Sequence, residues 1–161
     1  GVMIVSAGND VNLGGATIEA LGKEGAITIT AGHDINSTTD TLTAKKDMTQ
    51  DGDNYLRTYR QTELGTTIEA GGNVSIGAKH DIKARNLTVS SDSGAVKVIG
   101  EHDVSIENGY SESKDAFALK YKEKGLLNKK ETRIKANDES KHALMSTLSG
   151  HTVVVGAKYR I

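Results

Sequence analysis

Apolar and polar residues alternate in short bursts along this chain, and residues 26–35, Ala-Ile-Thr-Ile-Thr-Ala-Gly-His-Asp-Ile, carry the pattern in its plainest form. Ile27, Ile29 and Ala31 fall on one face and Thr28 and Thr30 on the other, the period of two of a half-buried strand. Gly32-His33-Asp34 then breaks the run, and Ile35 opens another apolar face. The phrase returns as Gly8-Asn9-Asp10-Val11, Lys79-His80-Asp81-Ile82, Glu101-His102-Asp103-Val104 and Lys158-Tyr159-Arg160-Ile161. From Asp10 to Asp34 is 24 residues, and from Asp81 to Asp103 is 22. A unit of that size cannot bury its own apolar face, so this period predicts a solenoid whose neighbouring units cover one another.

Each unit holds three short strands. The first reads like Asp10-Val11-Asn12-Leu13 and Asp103-Val104-Ser105-Ile106. The second aligns Thr17-Ile18-Glu19-Ala20, Thr67-Ile68-Glu69-Ala70, Asn86-Leu87-Thr88-Val89 and Thr147-Leu148-Ser149-Gly150. The third aligns 27–31, 74–78, 96–100 and 153–157. The expectation is an all-β chain: a parallel β-helix with three strands per coil and about five coils, stacked about 4.8 Å apart. A right hand follows from the general bias of parallel crossovers. In that arrangement Ile29 has Val5 and Ile76 as neighbours in the adjoining layers. Helices do not fit, because the segments between turns are too short and no i, i+3, i+4 stripe persists. An antiparallel sandwich also gives short regular strands, but it does not call for matching residues at equivalent positions.

Two stretches interrupt the period. Asp34 to Asp81 is 47 residues and Asp103 to Arg160 is 57, and both extras fall between a first and a second strand. The reading is one β-helix segment over residues 1–161, with hairpin insertions at about 38–65 and 108–145 leaving the solenoid on the same side. In the first insertion, Thr39–Gln50 and Tyr55–Leu64 flank the turn signal Asp51-Gly52-Asp53-Asn54. In the second, Ala116–Lys122 alternates Phe117, Leu119 and Tyr121. Gly125 and Asn128 sit in its connection, and Glu131–Lys135 returns.

Composition narrows the picture. Cysteine is absent, so neither a disulfide framework nor a cysteine-ligated metal can form. A net charge of −1 argues against nucleic acid as a partner of the whole chain. No apolar run approaches membrane-spanning length. The pattern is already running at Met3 and still running at Ile161, which reads as a segment of a longer repetitive chain. Four of the five Tyr and the single Phe lie in the insertions. The second insertion also holds nine basic residues against six acidic ones. Tyr55, Tyr59, Tyr110, Phe117, Tyr121, Lys120, Lys122, Lys129 and Lys130 are therefore the candidate partner-contact residues, against the alternative that the aromatics pack the hairpins onto the shaft. Open strand edges at both ends make end-to-end self-association a further expectation.

The phrases Ser6-Ala7-Gly8-Asn9-Asp10-Val11, Thr30-Ala31-Gly32-His33-Asp34-Ile35 and Glu69-Ala70-Gly71-Gly72-Asn73-Val74 resemble the haemagglutinin repeats of filamentous haemagglutinin-type exoproteins, the passengers of two-partner secretion. The tract Ser111-Glu112-Ser113-Lys114, then Gly125-Leu126-Leu127, then Ser146-Thr147-Leu148-Ser149-Gly150, resembles more particularly the distal repeat region of contact-dependent growth inhibition effectors. The resemblance implies a secreted right-handed β-helical filament on a Gram-negative cell surface, exported by an outer-membrane transporter. Its role there is either to present an adhesive shaft or to help deliver a carboxy-terminal toxin across the target cell's outer membrane. The chain departs from the phrase at Lys79, Glu101 and Lys158, where the turn Gly is missing, and at Arg160, where Asp is missing.

Candidate chemistry is sparse. His33, His80 and His102 occupy equivalent places in successive units, each followed by Asp. Stacked imidazoles beside carboxylates have the residue types for a metal or a response to pH. The alternative is a row of exposed corner residues, each Asp starting the next strand through a local Asx-type bond. Asn9 and Tyr159 at the same place require neither metal nor proton, so no metal and no cofactor is expected. A polysaccharide-active β-helix enzyme needs unlike groups converging on one point, and Asp10, Asp34, Asp81 and Asp103 recur as punctuation instead. The expectation is a protein without catalysis.

Overall fold

The computed structural model describes residues 1–125 and 129–161. Leu126, Leu127 and Asn128 of the predicted connection lie outside the described residues, as do the side chains of Glu123 and Lys124. The described residues contain strands, turns and bends and no helix. They fall into two units.

The first unit comprises Gly1–Asp40, Glu63–Gly109 and Leu144–Ile161. It is built from three parallel sheets. One orders β1 (Val2–Ala7), β4 (Ala26–Ala31), β9 (Val74–Ala78), β12 (Ala95–Gly100) and β17 (Thr152–Ala157). The second orders β2 (Val11–Gly14), β5 (Ile35–Thr38), β10 (Ile82–Arg85) and β13 (Val104–Glu107). The third orders β3 (Thr17–Ala20), β8 (Thr67–Ala70), β11 (Thr88–Ser91) and β16 (Thr147–Ser149). The chain visits the three sheets in the same cyclic order each time, so consecutive strands never pair and each strand pairs with its counterpart one unit away.

Register follows the repeat. Val5 pairs with Ile29, Ile29 with Ile76, Ile76 with Val98 and Val98 with Val155. Ile27, Ile29, Val89, Val96 and Val98 are fully buried, because β-branched side chains at every second position meet their own kind in the next layer. Burying each such side chain contributes about 1.5–3 kcal/mol. Small residues fill the same rows at Ala31 and Ala78, which explains how a chain with 4% aromatic residues closes a core.

One alignment in the sequence reading needs correcting. Thr88, not Asn86, pairs with Thr67, so the strand is Thr88–Ser91 and the register moves by two residues. A shift of two keeps each side chain on its face, so Leu87 and Val89 are buried either way. The corner falls at Asn86, which adopts the left-handed conformation at φ 50° and donates its side-chain amide to the Glu63 carbonyl at 3.0 Å. Asn is among the few residues that tolerate this conformation.

The second unit comprises Thr41–Thr62 and Tyr110–Ala143. Its strands are β6 (Asp40–Asp51), β7 (Asn54–Leu64), β14 (Gly109–Lys124) and β15 (Lys129–Leu144), ordered β15-β14-β7-β6 in one sheet. The two insertions are thus joined edge to edge: β14 runs antiparallel to β7 from the Ser111–Thr62 pair to the Ala118–Tyr55 pair. The strands of the second insertion are each 16 residues, much longer than the Ala116–Lys122 and Glu131–Lys135 stretches expected. Backbone pairing carries Ser111–Asp115 into the ladder although no hydrophobic alternation marks it as strand.

Candidate functional site

The most ordered array of chemistry-bearing side chains lies at the corner between the first and second parallel sheets. From the second layer on, each turn there ends with a ring at one position and, except in the last layer, an Asp at the next; the first layer has Asn9 before Asp10. His33 stacks on His80 and His80 on His102, with ring centroids 4.6 Å apart and interplanar angles of 13° and 11°. Tyr159 continues the row, tilted by 54° against His102 at 4.8 Å. The spacing is that of the layers themselves.

The carboxylates interleave with the rings. His80 Nδ1 lies 3.0 Å from Asp34 Oδ1, and His102 Nδ1 lies 2.9 Å from Asp81 Oδ1. His33 Nδ1 is more loosely placed, 3.3 Å from Asp34 and 3.5 Å from Asp10. Each carboxylate also accepts the amide of the Asp in the next layer: Asp34 N–H donates to Asp10 Oδ1 at 3.0 Å, Asp81 N–H to Asp34 at 2.9 Å and Asp103 N–H to Asp81 at 3.1 Å. The sequence reading expected these Asp residues to bond within their own corner. They bond to the next layer instead, because stacking brings the following amide within reach. In the last layer Arg160 replaces Asp, and Asp103 Oδ1 is buried without a hydrogen-bond partner.

Asp34 and Asp81 are largely enclosed, with side-chain exposures of 17% and 13%, whereas the three imidazoles are 42–52% exposed. Desolvation raises the pKa of both carboxyls. For Asp34 the bonds from Asp81 N–H and His80 outweigh it, and for Asp81 those from His102 and Asp103 N–H do. Both end below the ordinary carboxylate range, and ionised carboxylates only accept hydrogen bonds. The proton in the His80–Asp34 and His102–Asp81 contacts therefore sits on Nδ1. Asp34 with His33 and His80, and Asp81 with His80 and His102, each bring three potential ligand atoms within 4.8 Å of one another.

The candidate partner-contact residues sit on the antiparallel sheet and do not converge on one surface. Tyr55 lies opposite Ala118 and Tyr59 opposite Lys114, while Phe117 lies opposite Leu56 on the other face. Arg57 covers the Tyr55 ring at 4.2 Å, and Lys45 and Lys114 lie 5.5 and 5.8 Å from the Tyr59 ring centre. The Tyr59 hydroxyl bonds Gln61. Tyr110, exposed, has Lys141 at 4.5 Å from its ring centre. Lys120 is tied to Asp53 at 3.4 Å and Glu131 at 3.3 Å, whereas Lys122, Lys129 and Lys130 are exposed. Alternation from Phe117 carries Leu119 and Tyr121 to its face, and all three are exposed. Met48, Leu56, Phe117 and Leu119 line a shallow hollow of about 570 Å³. Alternating apolar residues on β14 signal one face of that hollow, but its other wall comes from β6 and β7.

Charge divides with the architecture. The antiparallel unit carries 13 of the 20 basic and 9 of the 21 acidic side chains, a net +4, which leaves −5 on the parallel unit. No family model matches the chain, and no curated protein or solved structure does either.

Proposed function

We propose that this chain is a non-catalytic segment of a secreted filament on a Gram-negative cell surface. In this reading the three parallel sheets are the faces of a right-handed β-helix of about five coils. The fixed cyclic order of the strands and the layer-to-layer register from Val5 to Val155 support it. The two insertions form its working surface. The segment acts in contact-dependent growth inhibition, helping a carboxy-terminal toxin across the outer membrane of a target bacterium.

One observation carries the proposal. The antiparallel unit gathers both Tyr-bearing insertions, the single Phe and a net +4 charge on a sheet in which Ala118 is the one buried side chain among the described residues. A single-layer sheet with Leu56, Phe117, Leu119, Tyr121 and Ile134 exposed has no core of its own to explain those residues. A surface outside the chain explains them better, and a cationic one is attracted to anionic head groups or glycans.

The same observation favours a second reading, the shaft of a filamentous haemagglutinin-type adhesin, because a cationic aromatic-bearing sheet also suits attachment. Deleting residues 110–142 from the secreted parent, with the coils retained, separates the two. Delivery requires that target-cell intoxication is lost while display and attachment persist. Loss of attachment with normal display selects adhesion. Unchanged intoxication and attachment would overturn both.

A further inference from the structure

The stacked histidines were expected to be inert corner residues. Their geometry points to more. His80 and His102 each have Nδ1 within 3.0 Å of a largely enclosed carboxylate, so each ring is held through that nitrogen and presents Nε2 to another partner. A carboxylate behind an imidazole that faces a metal is the arrangement that fixes ring orientation and raises ligand basicity in metalloproteins. Here it is present twice, on neighbouring layers, with both rings nearly parallel at 4.6 Å and half exposed.

We propose that His80 and His102 form a surface site for one divalent transition-metal ion, bound through their Nε2 atoms, with Asp34 and Asp81 as the partners that hold the rings. The ligand type sets the metal class. Imidazole suits zinc, copper(II) and nickel, whereas calcium and magnesium take oxygen ligands. Two nitrogens on one ion at about 2.0–2.1 Å lie no more than about 4.2 Å apart. Rings stacked at 4.6 Å must therefore lean toward each other, and the exposed outer side of the row leaves them room to do so. His33 is not part of the pair, because its Nδ1 is 3.3–3.5 Å from either carboxylate and its ring is held less closely. With two protein ligands the ion keeps open positions, so it would bind reversibly and retain water or an outside ligand. The site depends only on the parallel layers, so it stands or falls separately from the delivery and adhesion readings.

The test uses the full chain stripped with a chelator and titrated calorimetrically with zinc, nickel and copper(II) chlorides, with calcium and magnesium chlorides alongside. The expected result is one equivalent of a transition ion bound, none of calcium or magnesium, loss of binding in His80→Asn and retention in His33→Asn. Asn already occupies the equivalent corner at Asn9, so the substitution suits the fold. Electron paramagnetic resonance of the copper(II) complex of the unaltered chain reads the ligands without any variant, and two imidazole nitrogens are expected. No heat with any of the three ions, undiminished binding in His80→Asn, loss of binding in His33→Asn, or a spectrum with fewer than two imidazole nitrogens would each overturn the site.

Discussion

Arg60 and Asp115, 55 positions apart, meet through two parallel bonds, Nη1 to Oδ1 at 2.7 Å and Nη2 to Oδ2 at 3.2 Å. Arg60 is on β7 and Asp115 on β14, so this fork joins the two insertions. Planar bidentate pairing is the strongest geometry an Arg–carboxylate contact offers. Donating these bonds to Asp115 raises the Arg60 pKa further, but both side chains are more than a third exposed, and salt screens such pairs. Arg60→Ala and Asp115→Ala should each loosen the β7–β14 pairing without unfolding the parallel unit. Charge reversal at both positions together should restore part of it. Hydrogen exchange of the Ser111–Ala118 amides measures this, and the difference between variants should shrink at high salt.

Ile29 is fully buried between Val5 and Ile76. Replacing it with Ala leaves a cavity that backbone pairing on both sides prevents from collapsing. The cost should be about 2–5 kcal/mol in urea unfolding. Ile29→Asp places a charge where no partner is within the apolar row, and several layers should unfold together. Circular dichroism would then lose strand signal well beyond one strand's share, and a loss confined to β4 would contradict the layered coupling.

Much of this arrangement is legible in the sequence, and the reasons for the gaps are physical. Val5, Ile29 and Ile76 are predictable neighbours because every strand must bury the same face against the next layer. The corner row is predictable for the same reason, since His33, His80 and His102 hold equivalent places. What the carboxylates do there is not. The Asp34 acceptor serves His80 and the amide of Asp81, 46 and 47 residues away, and a local Asx turn leaves the same letters behind. The joining of the insertions is equally hidden. Ser111, Glu112 and Ser113 pair through backbone with Thr62, Gln61 and Arg60, and polar residues on both faces leave no alternation to read. The split of the aromatic candidates follows from that pairing, because face assignment needs the register between two insertions far apart in the chain.

Stacked corners leave little room for side chains. A Cβ at Gly65 would lie 1.7 Å from the Asn86 carbonyl oxygen, and one at Gly32 would lie 2.0 Å from that of Gly8. Both obstacles are backbone in the adjoining layer and cannot swing away. Gly65→Ala and Gly32→Ala should each destabilise the chain by about 1–3 kcal/mol or more, since the layers must part to fit a methyl group. Gly52, in the β6–β7 turn, has nothing within 4 Å of the same position and serves as the control. Equal thermal midpoints for Gly52→Ala and Gly65→Ala would show that the layers are not in this contact.

That turn carries its own pH signature. Asp51 Oδ1 accepts the Asp53 N–H at 2.7 Å and the Asn54 side-chain amide at 3.2 Å. The Asp53 bond, then the Asn54 bond, outweigh desolvation and hold the Asp51 carboxyl below its ordinary value of 3.8. A carboxyl depressed in the folded turn stabilises it above the ordinary value, and that contribution disappears as the pH falls through the lower, folded one. Acidification should therefore release the Asp53 and Asn54 amides together, read as a concerted shift in their amide NMR signals below about pH 4. Asp51→Asn keeps the accepting oxygen and removes the titration, so its turn should hold across the same range. Asp51→Ala should lose the turn at every pH, and identical acid profiles for the Asn variant and the unaltered chain would assign the transition to another group.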